Sequence, residues 1–285
     1  MLGVEQVTEP LAEHGEGPVW DAANNVLYWV DMLAGDILSL PAGGVVARAH
    51  VSKVAAVVRP RRQGGLVVAV ENGFAVIDPG QREPRIVAEV FHDPAIRMNE
   101  GGCDPQGRFY CGSMAYDRTP GLGTVYRLDP DGSVHVVLED VTISNGLAWS
   151  LDGGTVYYVD TPTRRIDAFD FDAATGTFAN RRPAVHVEDT DGRPDGMTID
   201  AEGCLWVALF GGSAVRRYTP DGKVDTVIEL PVSQVTACTF GGPGLDELYI
   251  TTSRQGLPPG VQPDAGALFR ARPGVRGVPA LDFAG

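Results

Sequence analysis

Four oxygen-bearing side chains in this 285-residue chain occupy the same place in a recurring segment. The segments are EGPVWD at 16–21, NEGGCD at 99–104, NGLAWS at 145–150 and DGMTID at 195–200, and each runs into a turn at Asp21, Asp104, Ser150 or Asp200. Counting back five residues from the turn lands on Glu16, Asn99, Asn145 and Asp195. Two carboxylates and two carboxamides, with no thiolate and no imidazole, suit a hard or borderline divalent ion such as Ca²⁺, Mg²⁺ or Mn²⁺. Without a cation, two carboxylates in a narrow channel would repel, and desolvation would raise at least one pKa. A lone Asn-Gly or Asp-Gly pair is most often an ordinary turn. Unrelated turns, however, have no reason to share one offset across four segments.

Positioning such a set requires a repeating scaffold, and the chain supplies one. Runs rich in β-branched and aromatic residues recur at 26–32 (VLYWVDM), 65–70 (GLVVAV), 108–114 (RFYCGSM), 155–161 (TVYYVDT), 204–210 (CLWVALF) and 247–253 (ELYITTS). Their starts lie about 40 to 50 residues apart, the period of a propeller blade made of four short strands. Between them, TVYRLDPDG at 124–132, DAFDFDAATG at 167–176 and VRRYTPDG at 215–222 read as hairpins whose Asp-Gly and Thr-Gly pairs supply the positive-φ residue. With 36 Gly and 21 Pro, long helices have nowhere to fit. A β-sandwich would also give many short strands, but the repeat selects an all-β six-bladed propeller whose innermost strands line an axial channel. In the two remaining repeats the turns begin near Arg59 and Gly241, which puts Val54 and Thr236 at the equivalent place. No linker or composition shift interrupts the pattern, so residues 1–285 read as one domain whose ends meet within one blade.

Composition narrows the function classes. A net charge of −14 argues against nucleic acid or an anionic membrane as partner, since both demand a basic surface, and favours a small ligand or a cation. The start of the chain has no basic segment followed by an apolar run, and no 18-residue apolar stretch offers a membrane span. Cys103, Cys111, Cys204 and Cys238 form no CxxC pair, and three sit in short apolar segments, as expected of a reduced, cytoplasmic protein. Serine-hydrolase elbows, phosphate loops and HExxH zinc motifs are absent. The histidines are scattered; His14, two residues before Glu16, reads first as a surface or turn residue, with an approach to the channel as the alternative. Residues 93–98, 116–123 and 254–266 read as loops over one face, where a substrate mouth is commonly shaped.

At this point the chain resembles the gluconolactonase and regucalcin (senescence marker protein) family of six-bladed propellers. The resemblance is carried by GEGPVW at 15–20, RMNEGGCDPQGRFYCGSM at 97–114, ISNGLAWSLDGGTVYYVD at 143–160, DAFDFDAATG at 167–176 with NRRP at 180–183, PDGMTIDAEGCLWVA at 194–208 and GALFR at 266–270. It implies metal-dependent hydrolysis of a sugar lactone to the aldonic acid, with one divalent cation on Glu16, Asn145 and Asp195. It leaves the ion open among Ca, Mn, Mg, Zn and Fe. It also implies that Arg97 and Asn99 contact the substrate, alongside Glu100, where the family has Asp, and Asp117. Asp195 is the candidate general base, since a carboxylate with one oxygen on a metal can keep the other for a proton. The competing role for Arg97 and Asn99 is a hydrogen bond between blades. The competing function is a non-catalytic propeller that binds a cation or a sugar acid.

Overall fold

Strand-forming runs alternate with glycine-containing turns along the whole chain, and this pattern closes into a ring. The structure, a computed structural model, describes residues 3–285, and its regular elements are strands apart from three short 3₁₀ turns. The strands form six four-stranded antiparallel sheets, the blades of a six-bladed β-propeller. The innermost strands are Gly15–Asp21, Ala55–Pro60, Ile96–Cys103, Ser144–Trp149, Arg193–Ile199 and Val235–Gly241, each packed against its two neighbours around the axis. The six β-rich runs of the sequence become the second strand of each blade, from Val26–Asp31 to Glu247–Thr252. Gly132, Gly176 and Gly222, all at positive φ, close the hairpins expected there.

Ring closure joins the two ends of the chain. Val4–Gln6 pairs antiparallel with Phe269–Ala271, completing the blade begun by Val235–Gly241. An ion pair between Arg270 and Glu5 at 2.8 Å ties the seam.

Aromatic side chains fill the wedges between blades. Trp20 stacks on Tyr249 at 6.2 Å, Tyr110 meets Trp149 at 5.3 Å, and Trp206 meets Phe240 edge-on at 5.8 Å. Burial falls from the axis outward: every residue of Phe109–Ala115 is buried, whereas Ala47–His50 is exposed throughout. The four cysteines are free and buried, and burial pushes their thiols up. Among the described residues, no helix is long and apolar enough to cross a membrane.

All six inner strands carry a register shift against their neighbour at the same height. It falls between Glu16 and Val19, Ala55 and Val57, Met98 and Gly101, Ser144 and Leu147, Pro194 and Met197, and Val235 and Ala237. Such bulges re-aim side chains that a regular pleat would send elsewhere. In the second blade the shift sits at Ala56, so the sequence register that selects Val54 is off by two; Thr236 lies at its expected place. Asn145-Gly146 and Asp195-Gly196 are therefore strand bulges and not turns. Their glycines answer crowding near the axis: a Cβ on Gly146 would lie 2.7 Å from the Asp195 carbonyl, and one on Gly196 would lie 2.4 Å from Ala237 Cβ.

Candidate functional site

Glu16, Asn99, Asn145 and Asp195 stand near the starts of four inner strands; Asn99, Asn145 and Asp195 lie within the bulges, and Glu16 immediately precedes one. Together with Arg97 they line one cavity of about 110 Å³. Blades two and six add no charged ligand from their inner strands: Ala55 and Ala56 are apolar, and the Thr236 hydroxyl is used on the Gly15 carbonyl (2.6 Å) and on Thr251 (2.9 Å). The asymmetry of the site is thus a matter of side-chain type on a nearly symmetric backbone.

The amides at the site are held in fixed orientations. Asn145 Nδ2 donates to Thr161 Oγ1 at 2.8 Å, and that hydroxyl donates to the Pro194 carbonyl at 2.9 Å. Asn145 Oδ1 therefore remains an acceptor toward the cavity and meets Asn99 Nδ2 at 3.0 Å. Asn99 also donates to the Ser144 carbonyl at 2.7 Å, while its own Oδ1 accepts from Arg97 Nη1 at 2.6 Å. Arg97 and Asn99 do bridge blades, and both face the cavity as well.

Burial dominates the electrostatics. Glu16 is 2% exposed, and loss of water pushes its carboxyl up to about 7 against the opposing pull of the Gly17 N–H and of Arg97. Asp195 is raised well above the carboxylate range by burial first and then by the nearby Glu16 and Glu100 charges. His14 is buried too, contrary to the surface reading. Its Nδ1 meets Ser253 Oγ at 2.8 Å and its Nε2 lies 3.9 Å from Glu16 Oε1, and burial together with the positive charge of Arg97 and Arg118 lowers it to about 3. Arg97 is held down to about 10, chiefly by burial.

Two buried carboxylates driven toward neutrality beside an oriented amide oxygen make a donor set that a divalent cation fits. A cation reverses the desolvation penalty that raises both acids, and all three donors are oxygen. Among the described residues, no group of three or more His, Cys, Asp or Glu side chains is arranged to hold a metal.

The remaining residues implied by the resemblance fall elsewhere. Glu100 is buried but lines a second cavity of about 430 Å³ at the other end of the inner strands, with Arg59, and its Oε2 has no hydrogen-bond partner. Asp117 is exposed and spends Oδ1 on the Thr119 N–H at 2.9 Å, whereas its neighbours Tyr116 and Arg118 line the first cavity. Neither Glu100 nor Asp117 lines the cavity that Arg97 and Asn99 share. Thr161, Arg118 and Arg193 also line this cavity, and sequence reasoning does not single them out. Thr161 ends a β-rich run that carries no chemical signature, Arg118 lies in a loop, and Arg193 opens the inner strand Arg193–Ile199 two residues before Asp195.

Fold and site together define an all-β propeller whose axial cavity holds two buried carboxylates and two side-chain amides. Residues 14–254 match the family model described as SMP-30/Gluconolactonase/LRE-like region, and the chain belongs to that family. Regucalcin from Danio rerio is 38% identical over 292 residues, covering 100% of this chain and 99% of the relative, and an uncharacterized protein from Sulfolobus acidocaldarius is 39% identical over 264 residues, covering 92% and 93%. Among solved structures, a luciferin-regenerating enzyme superposes with a TM-score of 0.92 at 31% identity, covering 100% of both chains. A regucalcin from Agrobacterium tumefaciens, described as a calcium-binding protein, gives 0.93 at 27% identity, covering 99% of this chain and 97% of its own.

Proposed function

We propose that this protein hydrolyses a sugar lactone to the corresponding aldonic acid with one divalent cation held by Glu16, Asn145 and Asp195. The observation that carries the reading is the convergence of two buried, charge-starved carboxylates and an oriented carboxamide oxygen on one small cavity. Family membership supports lactone hydrolysis in general, and the calcium-binding description of the Agrobacterium relative supports a divalent ion. The four buried, unpaired cysteines support work in a reducing, cytoplasmic setting.

A bound divalent cation supplies Lewis acidity toward a carbonyl oxygen and acidifies water. The chain's own residues do the rest. Asp195 takes a proton from the attacking water as its oxygen bonds to the lactone carbonyl carbon. The ring C–O bond then breaks, and the proton passes to the departing alkoxide. Arg97 commits Nη1 to Asn99 and to the Met98 carbonyl, which leaves other N–H groups of its planar fork for substrate hydroxyls. Thr161 keeps the Asn145 amide from flipping, so that oxygen rather than nitrogen faces the cavity.

The same residues could hold a cation or a sugar acid without turnover, a reading favoured by the calcium-binding relative. Asp195→Ala and Asn145→Ala separate the two: each should abolish turnover of a panel of aldonolactones while the far-ultraviolet spectrum stays that of the folded protein. Full activity in either variant would remove that residue from the mechanism, and a wild-type protein that binds cation but turns over no lactone would leave the binding function.

A further inference from the structure

Acidic side chains outnumber basic ones 37 to 23 in this chain, and its arginines are mostly neutralised. Arg48, Arg108, Arg127, Arg216 and Arg217, for example, each meet a carboxylate. Arg97, Arg118 and Arg193 do not: among the described residues none of the three has a carboxylate within ion-pair distance, and all three line the cavity that holds Glu16 and Asp195. Arg118 and Arg193 are exposed at its rim and also line an adjoining groove of about 350 Å³, which shares Ile143 and Thr161 with the cavity. Arg118 is held there by backbone geometry. Its φ is +63°, a conformation unfavourable for an L side chain, and its N–H donates to the Ala115 carbonyl at 3.0 Å.

The depth order of these groups sorts charge along the cavity: the two carboxylates lie deep with the buried Arg97, and the exposed Arg118 and Arg193 stand at the mouth. An anionic substituent placed deep would face Glu16 and Asp195, whereas at the rim it would meet two unpaired arginines whose planar forks match carboxylate and phosphate oxygens. We infer that the preferred substrate is a sugar lactone that also carries an ionised acid group, carboxylate or phosphate, seated on Arg118 and Arg193 while its ring carbonyl lies deeper, beside Asp195. This inference rests on the lactonase reading of the same cavity, and it assigns Arg118 and Arg193 as specificity-determining residues.

The test compares kcat/KM of the cation-loaded enzyme on a neutral glucono-lactone, a glucaro-lactone bearing a free carboxylate and a 6-phosphoglucono-lactone, at low and high salt. At least one acidic lactone should be preferred over the neutral one by about tenfold or more, the effect of a charge-assisted contact. Which acidic lactone it is separates carboxylate from phosphate. The preference should shrink with added salt and fall about tenfold in an Arg118→Gln/Arg193→Gln variant, mainly through KM, with partial rescue by Arg118→Lys/Arg193→Lys. Equal use of neutral and acidic lactones, or a preference that survives in the double glutamine variant, would overturn the inference and leave lactonase activity standing. If no lactone is turned over, the lactonase reading itself fails. Calorimetric binding of glucarate against gluconate then decides the charge preference alone, and equal affinities would overturn it.

Discussion

Asp195 and Asp200 sit five residues apart, near the start and just past the end of the same inner strand, and the same side chain meets opposite surroundings there. Asp200 is fully buried and fully used. Oδ1 accepts the Glu202 and Cys204 N–H groups at 2.9 and 3.0 Å, and Oδ2 accepts Trp206 Nε1 at 2.9 Å and Arg217 Nε at 2.8 Å. Asp195 is 5% exposed, pushed well above the carboxylate range, and surrounded by other acids. The third blade repeats the contrast: Asp104 anchors its turn through the Arg108 N–H at 2.9 Å and the Tyr110 hydroxyl at 3.1 Å, while Asn99 faces the axis. One end of the inner strands uses polar residues to hold hairpins together, and the other leaves them available to a ligand.

Breaking each end should therefore have opposite signatures. Asp200→Ala removes one member of a buried ionic network and should cost about 3–5 kcal/mol of stability, read as a lowered Tm and denaturation midpoint. Asp195→Asn, measured on cation-free protein, should be neutral or stabilising, because it removes a buried carboxyl whose ionisation is penalised by burial and by the Glu16 and Glu100 charges. A loss of stability in Asp195→Asn as large as that in Asp200→Ala would erase the distinction between the two ends.

The same contrast has a pH signature. Glu16 is raised from 4.5 to about 7, so between these values the native state keeps a proton that the unfolded chain has lost. Native proteins holding the extra proton lose stability as pH rises, by up to about 3 kcal/mol for this group across that window. Cation-free protein should show a falling Tm from pH 5 to pH 7, Glu16→Gln should flatten the slope, and added cation should restore stability at pH 7. A Tm in cation-free protein that rises over this range would contradict the charge-starved picture of the site. A smaller effect sharpens the role of Thr161: Thr161→Val should weaken cation binding by about tenfold, as loss of an orienting partner does, while Thr161→Ser should retain wild-type affinity. Equal losses in both variants would mean that the contact is steric.

Much of this organisation is legible in the sequence. The period of the β-rich runs gives six blades, and the shared offset of Glu16, Asn99, Asn145 and Asp195 brings those four to one cavity. What escapes are features that depend on contacts between blades. The bulges are one: they make Gly146 and Gly196 close-approach residues in what otherwise looks like turn sequence, and they put Ala56 where a uniform count puts Val54. Glu100 follows Asn99 directly, yet alternation along the strand and the bulge send it to the opposite cavity with Arg59. Thr161 and Arg118 reach the site from a turn and a loop, by proximity that no local spacing encodes, whereas His14 and Arg193 stand two residues before Glu16 and Asp195 just as Arg97 stands two before Asn99, a second shared offset that the sequence does carry.

The most direct test of the central claim is to strip the protein of metal and restore a single divalent ion stepwise while following aldonolactone hydrolysis. Activity should be absent in the stripped protein and should rise to a plateau at one cation per chain, and Asp195→Asn should remain inactive at every step. Full hydrolysis by the stripped protein, or a plateau reached equally by Asp195→Asn, would contradict a catalytic cation held by Glu16, Asn145 and Asp195.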